Sequence, residues 1–98
     1  MHPDLKNRHR LFLQASQSYL KADLAWRHSL RRARALMPGE MSRKISSYGA
    51  PGSSVRRLYE DRDKALERLQ VARLKYAVAR ARLARRQSFD AIAAPYQT

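Results

Sequence analysis

Apolar and small residues recur at seven-residue intervals in two separate stretches of this chain, and no other feature restricts its fold as much. In the first stretch Phe12, Tyr19, Trp26 and Ala33 form one row, with Ala15, Ala22, Ser29 and Leu36 beside it. In the second, Val55, Leu69, Tyr76 and Leu83 form a row interrupted by Arg62, and Leu58, Ala65, Ala72 and Ala79 form its neighbour. Seven residues make two turns of an α-helix. Each pair of rows therefore describes one seam along one helix, as in a coiled coil.

The punctuation of the chain sets the limits of those helices. Pro3 and Asp4 suit a first turn, Pro because its missing N–H costs nothing there and Asp because its charge matches the helix dipole. From there to Met37 neither Gly nor Pro interrupts, and Arg31, Arg32 and Arg34 bring cations to the end. The expected first helix is 4–37. Residues 38–54 hold all three glycines and two of the four prolines, so they form the connection. Within it Met41, Ile45 and Tyr48 are spaced for one short turn packed over the end of the core. A second helix, 55–87, is expected to be capped by Ser53 or Ser54. Glu60, Asp61 and Asp63 come early in it and Arg80, Arg82, Arg85 and Arg86 late, an order that agrees with the macrodipole. The tail 88–98 differs in composition, and Pro95 stops any helix that enters it.

A chain of 98 residues with 44% apolar and 30% charged residues makes one small domain able to bury a core. The reading is an all-α antiparallel two-helix hairpin, coiled-coil-like, with an Ala-rich seam. One register sets small against small: Ala15 opposite Ala79, Ala22 opposite Ala72, Ser29 opposite Ala65, with Leu36 meeting Leu58 next to the turn. Such levels favour close approach of the helices. The same register puts Arg27, Arg31 and Arg34 level with Glu67, Asp63 and Glu60, pairs that set orientation more than stability.

The charge then needs a destination. Lys and Arg total 21 against 8 acids, a net charge of +13, which favours a polyanionic partner: RNA, DNA or an acidic protein surface. At the open end of the hairpin Lys6, Arg8 and Arg10 stand beside Arg80, Arg82, Arg85 and Arg86, with Asp4 the only nearby acid in the helices. The expected function is nucleic-acid binding through phosphate contacts at these residues, without a recognised sequence-reading motif.

A second apolar set lies away from the seams: Leu13, Leu20 and Leu24 on the first helix, Val71, Leu74 and Val78 on the second. Left wet, this surface favours burial, and a homodimer forming a four-helix bundle is the simplest remedy. Docking into a larger assembly is the other. On that alternative the chain is a protein–protein adaptor, an inhibitor or a small subunit, steered by its arginines to an acidic partner.

Several chemistries are set aside. With no cysteine there are no disulfides, thiolate metal sites or cysteine nucleophiles. His2, His9 and His28 have no ligand-spaced partners, so no metal, cofactor or enzymatic activity is expected. The stretch "YGAPGSS" lacks the Lys-Ser/Thr ending of a phosphate loop. Trp26, Tyr19 and Tyr76 read as packing residues because of their spacing, whereas Tyr48, Tyr59 and Tyr96 are freer. No apolar run approaches the ~20 residues of a membrane span, and the start "MHPDLKNRHR" lacks a secretory apolar core. A cytoplasmic protein without membrane attachment is expected.

Overall fold

The computed structural model describes residues 2–37, 39–44 and 46–93, with side chains for all of these except Arg43 and 90–93. Three helices follow one another: α1 (Pro3–Ala35), the short α2 (Gly39–Lys44) and α3 (Ser54–Ala93). α1 and α3 pack antiparallel along their length as a thin rod, 80 × 19 × 19 Å. No described helix is long and apolar enough to cross a membrane.

The seam includes the rows read from the sequence, and on α1 it also takes in Asp23 and Leu30 beside them, the buried residues of that helix. Phe12, Ala15, Tyr19, Ala22, Trp26, Ser29 and Ala33 of α1 are all partly buried, as are Leu58, Arg62, Leu69, Ala72, Tyr76, Ala79 and Leu83 of α3, with Val55 and Ala65 buried. Leu36 is the exception, at 83% exposed, because α1 projects past the start of α3.

The register differs from the expected one. Ala22 opposite Ala72 would set Asp23 beside Val71; instead Asp23 meets Arg62 at 2.7 Å, nine residues earlier in α3. Ring contacts at both ends give the same offset, His9 against Tyr76 with centroids 5.2 Å apart and Trp26 against Tyr59 at 5.8 Å. The shift is about 13 Å along the helix. Its cause lies in Arg62, the residue that breaks the apolar row of α3. The small-on-small register would have placed Arg62 level with Arg32, leaving a guanidinium in the seam beside a like charge. A desolvated, unpaired cation costs several kcal/mol, more than closer alanine packing returns.

In the observed register Arg62 donates from Nε to Asp23 Oδ1 at 2.7 Å and from Nη2 to Tyr19 Oη at 3.1 Å. Its guanidinium carbon stands 5.5 Å from the Tyr19 ring centroid and 5.0 Å from that of Trp26. Asp23, the buried charged residue of the described chain, also takes Arg27 Nε at 2.9 Å from one turn along its own helix. The hydrogen bond to Asp23 raises the Arg62 pKa above the ordinary arginine value, against the opposing effect of burial. A raised arginine pKa leaves its stabilisation fully present below that ordinary value, so Arg62 brings no pH dependence at neutral or acidic pH. The expected cross-helix pairs of Arg27, Arg31 and Arg34 are not formed: Arg27 turns to Asp23, Arg34 Nη2 reaches Ser47 Oγ at 3.4 Å, and Asp63 has Arg62 at 3.8 Å.

The connection folds back along the helices. Trp26 Nε1 donates to the Ser47 carbonyl at 2.9 Å, and Arg56 Nε donates to the Gly49 carbonyl at 3.0 Å, so each helix holds the loop. Ser53 caps α3 through Oγ, which accepts from the Arg56 N–H at 3.1 Å, as expected of one of the two serines. Gly49 is buried at φ 78°, where a Cβ would stand 2.5 Å from the Arg56 nitrogen. The anticipated cap over the core is not made by Met41 or Tyr48, which are 58% and 54% exposed, although Tyr48 packs edge-on to Tyr59 at 4.9 Å. Ile45 lies outside the described residues.

Two further expectations change at the ends of α3. The helix runs on through 88–93, residues assigned to the tail; 94–98 lie outside the described residues. Neither its first turn is acidic nor its last turn basic, so the charge order is not a dipole effect, which fades within one turn. α1 does carry Asp4 first and Arg32 and Arg34 last, and His2 Nδ1 accepts from the Asp4 N–H at 3.3 Å as its cap.

Asp23→Ala is expected to destabilise the hairpin by about 2–3 kcal/mol, because it strands Arg62 in the seam. Urea unfolding followed by the fluorescence of the single tryptophan, Trp26, measures this directly. The double variant Asp23→Leu/Arg62→Leu, with neither charge left, should lose less than Asp23→Ala. Gly49→Ala should cost about 1–3 kcal/mol in the same assay.

Candidate functional site

α3 outlasts α1 at the open end, so its last turns stand beyond the first turn of α1. Where the two still overlap, a groove of 440 Å³ opens along one side of the hairpin. Its floor is apolar: Leu5 from α1 with Leu74, Val78, Ala79 and Leu83 from α3. Its rim is cationic, with Arg8 from α1 and Lys75, Arg82 and Arg86 from α3, joined by His2. Asp4 is the carboxylate at this groove, 3.9 Å from Arg8, and both are exposed enough that the pair holds Arg8 only weakly.

Helical spacing explains the gathering. Lys75, Arg82 and Arg86 are separated by seven and four residues and so share one face of α3, with Leu74 just before Lys75 and Val78 on the turn between Lys75 and Arg82. From Arg68 to Phe89 the helix carries no acid. Apart from Arg68 beside Glu67 and Arg86 one turn before Asp90, no cation there has a carboxylate on its own helix within one turn.

Of the seven cations expected at the open end, the groove brings together Arg8, Arg82 and Arg86. Arg10 turns away to donate to Asn7 Oδ1 at 2.9 Å, and Arg80 lies over the Tyr76 ring at 5.6 Å. Lys6 and Arg85 are exposed nearby without lining the groove. Lys75 and His2 join the rim, and neither is among the seven expected cations. Lys75 stands apart from the dense Arg80–Arg86 run, and only the observed register sets it beside Arg8.

A second groove of 450 Å³ adjoins the first, sharing Arg8 and Lys75 and adding Leu11, Glu67, Arg68, Val71 and Ala72. The six expected interface aliphatics are all exposed, from Val78 at 40% to Leu20 and Leu74 at 64%. They do not form one face. Val71, Leu74 and Val78 line the two grooves, and their companions from α1 are Leu5 and Leu11. Leu13 and Leu20 lie two and nine residues from Leu11, about half a turn around the helix, and Leu24 lies one turn beyond Leu20. They make a separate apolar patch on the other flank of α1.

Among the described residues, histidines and carboxylates gather in no group of three that could hold a metal ion. His2 caps α1 and His9 packs on Tyr76. Tyr19, Trp26 and Tyr76 belong to the seam. Tyr96 lies outside the described residues. No protein-family model matches the chain, and no curated protein or solved structure is significantly similar to it.

Proposed function

We propose that this chain is a small, non-catalytic helical hairpin that binds nucleic acid, RNA or DNA, through phosphate contacts at its open end. The observation that carries the reading is the convergence of Arg8, Lys75, Arg82 and Arg86 on one groove from both helices, with Asp4 the lone carboxylate among its described lining residues. Lys6, Arg10, Arg80 and Arg85 surround it and extend the positive field. Arginine and lysine held on rigid helices neutralise phosphates and release counterions, which makes binding strongly salt-dependent. No enzymatic step, metal or cofactor enters this reading.

The oligomeric form we propose is a homodimer with a four-helix core. The chain exposes 8242 Å², against roughly 5,800 Å² for a compact monomer of its mass. Among the described residues its buried apolar core is Leu30, Val55 and Ala65. A second reading, a protein–protein adaptor or inhibitor, or a subunit of a larger assembly, is favoured by a different observation: the patch of Leu13, Leu20 and Leu24, exposed at 48–64% and flanked by Arg10, Arg27 and Arg31, suits an acidic protein surface.

Fluorescence anisotropy with a labelled duplex and a labelled RNA hairpin tests the first reading. Affinity should fall about 10²–10³-fold between 50 and 200 mM salt if four to six phosphates are neutralised. Arg82→Glu/Arg86→Glu should weaken binding at least tenfold and lower the salt slope by about two, with helicity unchanged. Unaltered binding by that variant would remove the open end as the site.

A further inference from the structure

The two exposed apolar patches of this hairpin differ in the charges that flank them, and that difference points to what each one fits. Around Leu13, Leu20 and Leu24 of α1, cations stand on both sides, Arg10 before and Arg27 and Arg31 after. A second copy laid antiparallel on that patch would oppose cation to cation. The patch on α3 is flanked asymmetrically. Before Leu74, residues 60–67 carry four acids against Arg62 and Lys64; after it, residues 80–86 carry four arginines and no acid, while Arg68, Arg73 and Lys75 lie between the two stretches. The four acids are exposed, and among the described residues Glu60, Asp61 and Glu67 make no ion pair. The two outer stretches, with net charges of −2 and +4, are complementary when one copy is reversed on the other.

We infer that a second copy of this chain docks antiparallel along the grooved side of the hairpin, with the two-fold axis passing at the level of Leu74. This rests on the homodimer proposed above and specifies its face and direction. Leu11 of α1 stands at the same level in the observed register, so Leu11 and Leu74 both meet their own counterparts at the axis, as an isologous contact requires. The acidic stretch Glu60–Glu67 of one copy lies over the basic stretch Arg80–Arg86 of the other. Along α1, residues 11–20 carry no charge, so Lys6, Arg8 and Arg10 are opposed by neutral side chains of the partner. A parallel dimer would stack Arg80–Arg86 on itself, with like charges juxtaposed at short range. The grooves take the partner's Val71, Leu74 and Val78, which are 51%, 64% and 40% exposed in the single hairpin. The patch of Leu13, Leu20 and Leu24 stays outside this dimer.

The chain has no cysteine, so single-cysteine variants report position without ambiguity. Protein stripped of nucleic acid at high salt and returned to moderate ionic strength is examined by light scattering and by disulfide formation under mild oxidation. The expected mass is that of a dimer. Leu74→Cys should cross-link to itself. Glu67→Cys and Ala81→Cys, each seven residues from the axis, should cross-link when mixed and not alone, and Leu20→Cys should remain monomeric on denaturing gels. Leu74→Asp should raise the dimer dissociation constant at least tenfold. A monomer at all accessible concentrations overturns both the homodimer and this docking mode. A dimer in which Leu20→Cys cross-links and Leu74→Cys does not overturns the docking mode alone. The partner's Glu60–Glu67 would cover Arg82 and Arg86, so this dimer and a phosphate backbone compete for the same groove. Duplex DNA added at low salt should therefore dissociate the dimer; a dimer that binds duplex and stays intact overturns the docking mode.

Discussion

One ion pair decides where the two helices meet. Asp23 and Arg62 lie in the seam at 2.7 Å, with the Tyr19 hydroxyl and the Trp26 ring completing the surroundings of the guanidinium. In a hairpin this thin the apolar rows specify that the helices pack but hardly specify the level, because alanines and aromatics recur in both and many offsets bury similar area. A seam charge is not so tolerant. Unpaired, it forfeits hydration with nothing in exchange, and Asp23 is the acid on the packing face of α1 that can answer it. A polar residue that fixes register at some expense of stability is a known device of coiled coils.

Everything at the open end follows from that level. Moving α3 by about 13 Å relative to the small-on-small register brings Lys75 beside Arg8, exposes the last turns of α3, and pairs Leu5 and Leu11 with Leu74, Val78 and Val71 across the grooves. The connection adapts to it: instead of spanning the two helix ends directly, it runs back to the level of Trp26, is held there through Ser47, and returns through the left-handed Gly49. The groove therefore combines a rigid apolar floor with cations from two helices, the arrangement on which the phosphate-binding reading rests.

The rows of the seam, the two helices and the break between them were legible because they depend on local periodicity and on Gly and Pro alone. The register was not. Matching alanine to alanine is a weak criterion in an Ala-rich chain, while the strong signal, Arg62 in an apolar row with Asp23 next to Ala22, had to be read as a pair. At the site, Arg8, Arg82 and Arg86 were visible from composition, but Lys75, Leu5 and Leu11 depend on the level of packing. Grouping Leu13, Leu20 and Leu24 with Val71, Leu74 and Val78 failed for a related reason: lying away from a seam leaves more than half the helix circumference open, and the two sets occupy different parts of it.

The most direct test of this account is a nuclear Overhauser spectrum of the isotope-labelled hairpin. Asp23 paired with Arg62 requires ring-proton cross-peaks between His9 and Tyr76 and between Trp26 and Tyr59. Cross-peaks joining the Ala22 and Ala72 methyl groups, with those ring contacts missing, would show the helices meeting nine residues away and would contradict the register, the groove and the dimer built on it.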